Sequence, residues 1–332
     1  MEEEYLVSII IVTYNGKKWL NRCLNSLYRQ TYKNFEIILV DNCSTDGSIE
    51  HVKENYPDVI VIENRKNLGF GVANNIGIAR SVGDIIFLMN NDTDAAPDML
   101  EKMLIFKKET KFNIVGPRIL NTEKKDTLNG KYLQLDILGA PGGPSDKLFY
   151  IEGCALMMSR RDFNVLGKFD EKYFMYSEDT DLCWRAHLYR MTLGICDETH
   201  IVHYGGGSSL ETQARENERH TTSVNRRYWV ESHNLRNLLK NYSIATLLWV
   251  LPLFVLQNIC ESFAYLLTGN IKMNLMIWKS FLWNMMNISD TIKQRKIIQR
   301  ERLVSDEKVL CLMYFGSYKF SAFRQLGMPK FK

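Results

Sequence analysis

The first hundred residues alternate between short apolar runs and longer segments in which apolar residues recur with helical spacing. The runs predict four buried strands, at residues 7–12, 35–40, 58–62 and 84–89. The intervening segments predict four helices, at residues 17–29, 47–56, 71–82 and 97–108. This alternation predicts an α/β fold, with a mostly parallel sheet and crossover helices on its faces.

Polar residues follow each of the four predicted strands. They are Thr13-Tyr14-Asn15, Asp41-Asn42, the segment 64–69 and the segment 90–94. In doubly wound sheets, ligands bind beyond the carboxyl ends of the strands, so these segments predict a binding site. Each segment taken alone is also compatible with an ordinary turn, because Asp, Asn, Ser and Gly are common turn formers.

The rest of the chain is less regular. Gly and Pro are concentrated at residues 139–144, which predicts that 117–150 forms a flexible loop able to close over a substrate. A strand is predicted at 151–158 and a helix at 178–189. The predicted organisation is a catalytic domain at 1–229, with a nucleotide-binding half at about 1–116 and an acceptor half at about 150–210, and a helical region at 230–332.

Several segments, in this order, together resemble family 2 glycosyltransferases of the GT-A fold, and rhamnosyltransferase-like members in particular. They are the stretches 7–15, 39–47, 67–71, 88–93, 167–171, 176–185 and 203–208. The resemblance covers about residues 6–210. It implies inverting transfer from a nucleoside-diphosphate sugar, dTDP-rhamnose or a UDP-sugar, to a hydroxyl of a surface glycan or lipid-linked glycan.

The resemblance assigns the polar strand ends to the nucleotide. Asp41 would accept a hydrogen bond from the imide N–H of uracil or thymine, and Tyr14 would stack near the base. The full predicted set for the nucleotide is Thr13, Tyr14, Asn15, Asp41, Asn67, Asn90 and Asn91. Arg65 or Lys66 would offset phosphate charge, although a solvated basic loop explains them equally well.

A divalent metal ion, Mg²⁺ or Mn²⁺, is implied by the same resemblance, with Asp92 and His203 as its ligands. The usual Asp-x-Asp of the family corresponds to Asn90-x-Asp92, so one carboxylate is replaced by an amide. Asp94 is a supplementary candidate and His200 a less favoured substitute. The alternatives are a capping turn before Pro97 for Asp92, and a core histidine for His203.

Glu178 and Asp179 begin the helix predicted near residue 178. The resemblance places the pair in the acceptor site, with Asp179 as the general base that takes the acceptor proton and Glu178 beside it. Acidic residues are also favoured in a first helical turn, and Ser177 is a suitable N-cap, so a purely structural role remains the alternative.

Charge is distributed unevenly along the chain. The net charge is +4, but residues 230–332 contain 14 basic and 6 acidic residues, a balance of +8. Residues 245–260 are nearly all apolar, Trp249, Trp278 and Trp283 lie in the same region, and a basic stretch follows at 293–302. This combination predicts peripheral docking on the inner face of the membrane. Packing on the core or in a homodimer is the alternative. A span is disfavoured because about 20 apolar residues are needed and Glu261 interrupts the segment.

The remaining features favour a cytoplasmic enzyme. The chain begins without a signal-peptide pattern, and its seven cysteines include no Cys-x-x-Cys pair. No nucleic-acid partner is expected. Two other functions remain alternatives: a nucleotide-sugar-binding protein without transfer activity, and a nucleotidyltransferase. The second usually has a glycine-rich, basic phosphate loop after the first strand, and Thr13-Tyr14-Asn15-Gly16 is not one.

Overall fold

The computed structural model describes residues 5–126, 128–205, 221–326 and 330–331. It divides into two compact units that alternate along the chain. The sheet unit draws on Met1–Gly130, Ile151–Leu182 and Met191–Gln213, and the helical unit draws on Lys131–Tyr150, Cys183–Arg190 and Ala214–Lys332. The domain boundary predicted at residue 229 stays a prediction.

The strands follow the predicted positions closely in the first hundred residues. They are β1 (Val7–Thr13), β2 (Phe35–Asp41), β3 (Ile60–Glu63), β4 (Ile85–Asn90), β5 (Thr93–Ala95), β6 (Ile114–Leu120), β7 (Tyr132–Leu135), β8 (Pro141–Ser145), β9 (Ala155–Ser159), β10 (Leu193–His203), β11 (Thr221–Thr222) and β12 (Lys330–Phe331). The strand predicted at 151–158 is shorter at its start, because residues 151–154 form an irregular segment that leads into β9.

The helices connect these strands and form the region after residue 223. They are α1 (Lys17–Tyr28), α2 (Ser48–Asn55), α3 (Phe70–Arg80), α4 (Met99–Thr110), α5 (Arg160–Leu166), α6 (Glu178–Leu188), α7 (Val224–Asn241), α8 (Ile244–Leu267), α9 (Ile271–Met286), α10 (Ile288–Glu301), α11 (Asp306–Leu310) and α12 (Tyr318–Leu326). All four helices predicted in this part of the chain are therefore observed, and each of their ends lies within two residues of its predicted position.

The sheet unit is built on one mixed sheet with the strand order β3-β2-β1-β4-β9-β6-β10-β5. The first four strands in this order are parallel, as the alternation of strands and helices predicts. Strand β9 is antiparallel to both β4 and β6, and β5 is antiparallel to β10. The predicted fold class, a mostly parallel GT-A sheet with flanking helices and a helical C-terminal region, is confirmed.

Burial explains why the middle residues of the central strands are apolar. Ile9, Ile11 and Phe87 are fully buried and belong to one core cluster with α1 residues such as Leu24 and Leu27. Burying an apolar side chain of this size contributes about 1.5–3 kcal/mol, so a polar residue within these strands would be costly. Polar side chains are consequently confined to the strand ends.

The flexible loop predicted at 117–150 is wrong in part. Residues 132–145 form a β-hairpin, with β7 antiparallel to β8. The carboxylate of Asp136 fixes its turn, since Oδ1 accepts the backbone N–H groups of Leu138 and Ala140 at 2.9 and 2.8 Å. Oδ2 accepts the N–H of Tyr318 at 2.8 Å. A buried carboxylate holding three N–H groups orders a segment whose glycines and prolines suggested mobility.

Candidate active site

Three polar side chains meet at the carboxyl end of the parallel strands. The register sets Thr13 of β1 beside Asp41 of β2, and Val12 beside Asn90 of β4. The side-chain amide of Asn91 donates to the Thr13 hydroxyl at 2.8 Å. Neighbouring strands lie about 4.8 Å apart, so these strand ends form one continuous polar edge, as the sequence predicts.

Asp41 has one carboxylate oxygen that the protein does not use. Its Oδ2 accepts the backbone N–H of Ser44 at 2.9 Å. Its Oδ1 is buried and has no hydrogen-bond partner among the described residues. A buried polar atom without a partner is costly, unless a ligand supplies the missing donor. The turn that explains Asp41 structurally therefore accounts for only one of its two oxygens.

Two other residues predicted for the nucleotide hold loops in place. Asn15 has a left-handed backbone, with φ 52°, and its side-chain oxygen accepts the N–H of Thr45 at 2.8 Å. The side-chain oxygen of Asn67 accepts the N–H of Gly69 at 3.0 Å. Tyr14, directly before Asn15, is half-buried. Arg65 and Lys66 are exposed.

Asp92 and His203 come together as a pair. Asp92 Oδ1 lies 3.3 Å from His203 Nε2. His203 is the last residue of β10, opposite Thr93 of β5, and the backbone N–H of Tyr204 donates to Asp92 O at 3.0 Å. The predicted ligand pair is therefore assembled by strand pairing between β5 and β10, at positions far apart in sequence.

The electrostatics of this pair suit a cation. Burial disfavours the charged form of His203, but Cys154 and the hydrogen bond to Asp92 raise the pKa of the imidazole to about 11. The pair is then held by a proton, which a divalent cation would replace on the same two atoms. No group of three His, Cys, Asp or Glu side chains within residues 5–126, 128–205 and 221–326 is arranged to hold a metal ion. Asp92 and His203 fit a cation whose remaining ligands are phosphate oxygens and water.

The supplementary metal candidates lie elsewhere. Asp94 pairs with Arg29, at 3.2 Å, on a partly exposed surface. His200 lies three residues before His203 on β10, and an odd separation along a strand places the two side chains on opposite faces. Residues 206–208 of the stretch that carries His203 lie outside the described residues.

Glu178 and Asp179 begin α6 after two residues with left-handed backbones, Tyr176 (φ 72°) and Ser177 (φ 67°). Such conformations are uncommon for non-glycine residues and are concentrated at functional sites. Both carboxylate oxygens of Asp179 accept hydrogen bonds, Oδ1 from the N–H of Thr180 at 2.7 Å and Oδ2 from the N–H of Gly153 at 3.1 Å. Glu178 Oε2 is buried and has no hydrogen-bond partner among the described residues.

The two carboxyl groups differ in the form that their surroundings favour. Burial and the negative charge of Asp179 together raise the pKa of Glu178 to about 8. Burial also raises the pKa of Asp179, but two backbone N–H groups stabilise its carboxylate. At neutral pH, Glu178 is therefore protonated and Asp179 is the better proton acceptor.

The sequence did not predict the role of the segment Glu152-Gly153-Cys154, which connects Asp179 to the segment that precedes Asp92. Gly153 donates to Asp179, and Cys154 O accepts the N–H of Asn90 at 3.0 Å. Burial raises the pKa of Glu152, and its carboxylate interacts electrostatically with both Asp179 and His203. The signal in the sequence was an acidic residue followed by glycine directly before a buried strand.

A second connection joins the nucleotide-side loop to the segment before α6. Gly69 has φ +82°, and a Cβ there would lie 2.0 Å from Phe174 O. The N–H of Phe70 donates to the same oxygen at 2.8 Å. The Asn75 side chain also holds the backbone of Phe169 through two hydrogen bonds, at 3.0 and 3.1 Å. These contacts require glycine at position 69. They also fix the backbone at Phe169 and Phe174, in the segment that leads to Tyr176.

This arrangement matches a known family. The family model for "Glycosyl transferase family 2" matches residues 8–191, more than half of the chain. The chain belongs to glycosyl transferase family 2. The matched range includes all the candidate site residues described above except the two histidines of β10, His200 and His203.

Similar proteins include a hexosyltransferase and a rhamnosyltransferase. A low-salt glycan biosynthesis hexosyltransferase of Haloferax volcanii is 26% identical over 210 residues, which cover 59% of this chain and 66% of that protein. An N-acetylglucosaminyl-diphospho-decaprenol L-rhamnosyltransferase of Mycobacterium tuberculosis is 26% identical over 211 residues, covering 53% and 69%. The chain thus spans just under two thirds of the length of the Haloferax relative.

Solved structures of similar fold include two bound to nucleotides. Residues 1–349 of S. aureus TarS in complex with UDP match with a TM-score of 0.57 and 16% identity, covering 96% of this chain and 91% of that one. A mannosyltransferase from Pyrobaculum calidifontis, in complex with GDP-Man and Mn²⁺, matches with a TM-score of 0.55 and 15% identity, covering 86% and 88%. At these identities the likeness concerns the fold.

The buried acid beside Asp179 generates a test of pH dependence. Because the pKa of Glu178 is raised to about 8 from an ordinary 4.5, the folded protein retains a proton that the unfolded chain releases between those values. The stability from this group is complete below about pH 4.5 and is lost as the pH rises through about 8. Glu178→Gln should therefore raise the melting temperature relative to wild type more at pH 8.5 than at pH 5. An equal difference at both pH values would contradict a protonated, buried Glu178.

Proposed function

We propose that this family 2 glycosyltransferase transfers a hexosyl group, with inversion, from a dTDP- or UDP-sugar to a glycan hydroxyl. The unpartnered Oδ1 of Asp41 carries the donor assignment. The imide N–H of uracil or thymine would satisfy that oxygen, while Ser44 holds the other one. The name of the mycobacterial relative, a rhamnosyltransferase that acts on a diphospho-decaprenol, supports a rhamnosyl group and a lipid-linked acceptor.

The residues of the site divide the chemistry between them. Asp179, held as a carboxylate by two N–H groups, would take the proton of the acceptor hydroxyl as its oxygen attacks the anomeric carbon. Asp92 and His203 would hold a divalent cation, which when bound neutralises charge on the leaving diphosphate. Glu178, protonated at neutral pH, would be able to donate a hydrogen bond to the acceptor.

Family membership favours transfer over the two alternatives drawn from the sequence. A nucleotide-sugar-binding protein without transfer activity would not release nucleoside diphosphate in response to an acceptor. A nucleotidyltransferase would release pyrophosphate from a nucleoside triphosphate. Product analysis therefore separates all three, after a thermal-shift panel of nucleotide sugars has identified the donor that stabilises the folded protein most.

The donor assignment predicts a specific preference at the base. UDP should bind more tightly than N3-methyl-UDP, which lacks the imide N–H, by on the order of tenfold to a hundredfold, the effect expected for a hydrogen bond to a charged group. Asp41→Asn should bind the two ligands equally, because its single amide oxygen remains engaged by Ser44. Calorimetric titration measures both affinities. Undiminished binding of N3-methyl-UDP to wild type, or tighter binding of GDP, would show that Asp41 does not read this base.

The base assignment predicts a division between binding and turnover. Asp179→Asn is nearly isosteric and should leave donor affinity close to that of wild type. It should lower nucleoside diphosphate release with acceptor by about two to four powers of ten, the range for loss of a general base. Glu178→Gln is the matched control and should lose far less. Reduced donor affinity with normal turnover in Asp179→Asn would make Asp179 a binding residue.

The metal assignment predicts different outcomes for two nearby aspartates. Asp92→Asn should sharply reduce transfer and abolish the added thermal stabilisation that Mn²⁺ gives to the nucleotide complex. Asp94→Asn is the control, because Asp94 pairs with Arg29 and should leave both properties unchanged. Full activity of Asp92→Asn, or of wild type in excess chelator, would refute the role of the cation.

A further inference from the structure

Helix α8 has an apolar outer surface and a partly polar inner one. The residues it buries form one narrow stripe, which includes Thr246, Asn258 and Ser262. The residues it exposes include Leu248, at 74% relative exposure, with Leu256 and Phe263. A helix on the surface of a water-soluble domain normally shows the opposite arrangement, with its apolar stripe turned inward.

Helix α9 repeats this arrangement beside it. It buries Asn274, Ser280 and Asn284, and the Asn274 amide donates to the Ser262 hydroxyl of α8 at 2.6 Å. It exposes Leu275, Leu282 and, at 77%, Met286. The outward residues of α8 and α9, represented by Leu248, Leu256, Phe263, Leu275, Leu282 and Met286, are named here the apolar helical face. A continuous exposed apolar surface usually marks an interaction site.

The acidic residue of α8 does not interrupt this face. Glu261 turns inward, where its Oε1 accepts the hydroxyl of Tyr265 at 2.9 Å and pairs with Arg227, and its Oε2 lies 3.6 Å from Lys319 Nζ. Helix α8 has no other charged residue. The face that it turns outward is consequently uncharged along its whole length of 24 residues, about 36 Å.

The charges of α9 are all basic, and the two acidic residues of α10, Asp290 and Glu301, pair with Arg236 and Arg300. Helix α9 contains the exposed residues Lys272 and Lys279 and no acidic residue. Lys293, Lys296 and Arg300 are exposed on the following helix, α10. Trp278 is half exposed among the apolar residues of α9. Lysines around an apolar surface with tryptophan match a bilayer whose headgroups are anionic.

We propose that the apolar helical face docks into the headgroup–acyl boundary of an anionic bilayer, with α8 and α9 lying in the membrane plane. The inference is independent of the donor and acceptor proposed above. A second copy of the chain is a poorer occupant, because a symmetric contact would bring Lys272 and Lys279 towards a face without acidic residues.

An in-plane position fits better than a span. Among the described residues, α8 is the one helix long and apolar enough to cross a membrane, with a mean hydropathy of 1.7 and 22% of its apolar window buried. Its neighbour α9, however, has 16 residues, about 24 Å, with Lys279 at its middle. A crossing α8 would draw this short helix and its lysine into a hydrocarbon core about 30 Å thick.

Sedimentation of the full chain with vesicles tests the proposal. Wild type should bind phosphatidylcholine vesicles containing 30% phosphatidylglycerol more tightly than pure phosphatidylcholine, and added salt should weaken only the difference. Leu256→Glu with Phe263→Glu should abolish binding to both. The control, Val82→Glu with Val165→Glu, alters two equally exposed residues outside the face and should bind like wild type.

The basic margin is tested separately. Lys272→Gln, Lys279→Gln, Lys293→Gln and Lys296→Gln combined should lower affinity for the anionic vesicles by up to roughly a thousandfold and leave that for neutral vesicles unchanged. Arg295 is left intact, because it donates to the carbonyl oxygens of Leu239 and Tyr242, both at 2.6 Å, and so stabilises the end of α7. Thermal melts confirm that each variant is folded.

Three outcomes would overturn the proposal. Wild type that remains in the supernatant with both kinds of vesicle has no membrane-docking face. A dimer in solution that Leu256→Glu with Phe263→Glu converts to monomer, without vesicle binding by wild type, assigns the face to a second copy. Resistance to carbonate extraction, with proteolytic cleavage from both sides of the membrane, shows that α8 spans.

Discussion

The register between β1 and its two neighbours decides where the polar groups of the candidate active site can lie. β1 lies between β2 and β4, and its central residues Ile9, Ile10 and Ile11 are fully buried, so this part of the strand favours apolar side chains. Polar residues can first appear where the three strands end, and the parallel pairing brings those ends to one edge. Thr13, Asp41 and Asn91 are neighbours because the parallel register brings the ends of β1, β2 and β4 together.

That edge carries the residues proposed for the nucleotide, but it does not position Asp179, the proposed general base. The second half of the site depends on β9, which enters the sheet antiparallel between β4 and β6. The segment before β9 therefore crosses the carboxyl edge, where Gly153 holds Asp179 and Cys154 holds Asn90. One irregular segment of three residues connects the group that would accept a proton with the strand that precedes Asp92.

The sequence was informative where burial and chain order act locally. Apolar runs located β1 to β4, and the polar residues after them located the strand edge. It was uninformative where contacts join distant segments. The gly- and pro-rich stretch around Gly142 suggested mobility because nothing local showed that Asp136 would hold it to Tyr318. Likewise, no local pattern indicated that Glu152 would lie near both Asp179 and His203.

In the helical unit, the number of charged residues indicates membrane contact less well than the direction in which their side chains point. In the sequence, Glu261 counted against a membrane span and the basic stretch that contains Arg295 counted in favour of peripheral docking, because both residues were treated as charges exposed to their surroundings. Both turn inward: Glu261 pairs with Arg227, and Arg295 donates to two carbonyl oxygens at the end of α7. Because both side chains turn inward, the outer surface of α8 is uncharged and the exposed basic residues beside it are mainly lysines. An apolar face bounded by lysines, with its acidic residue neutralised inside the protein, avoids the cost of placing a carboxylate in a bilayer and retains the charge that attracts anionic lipid.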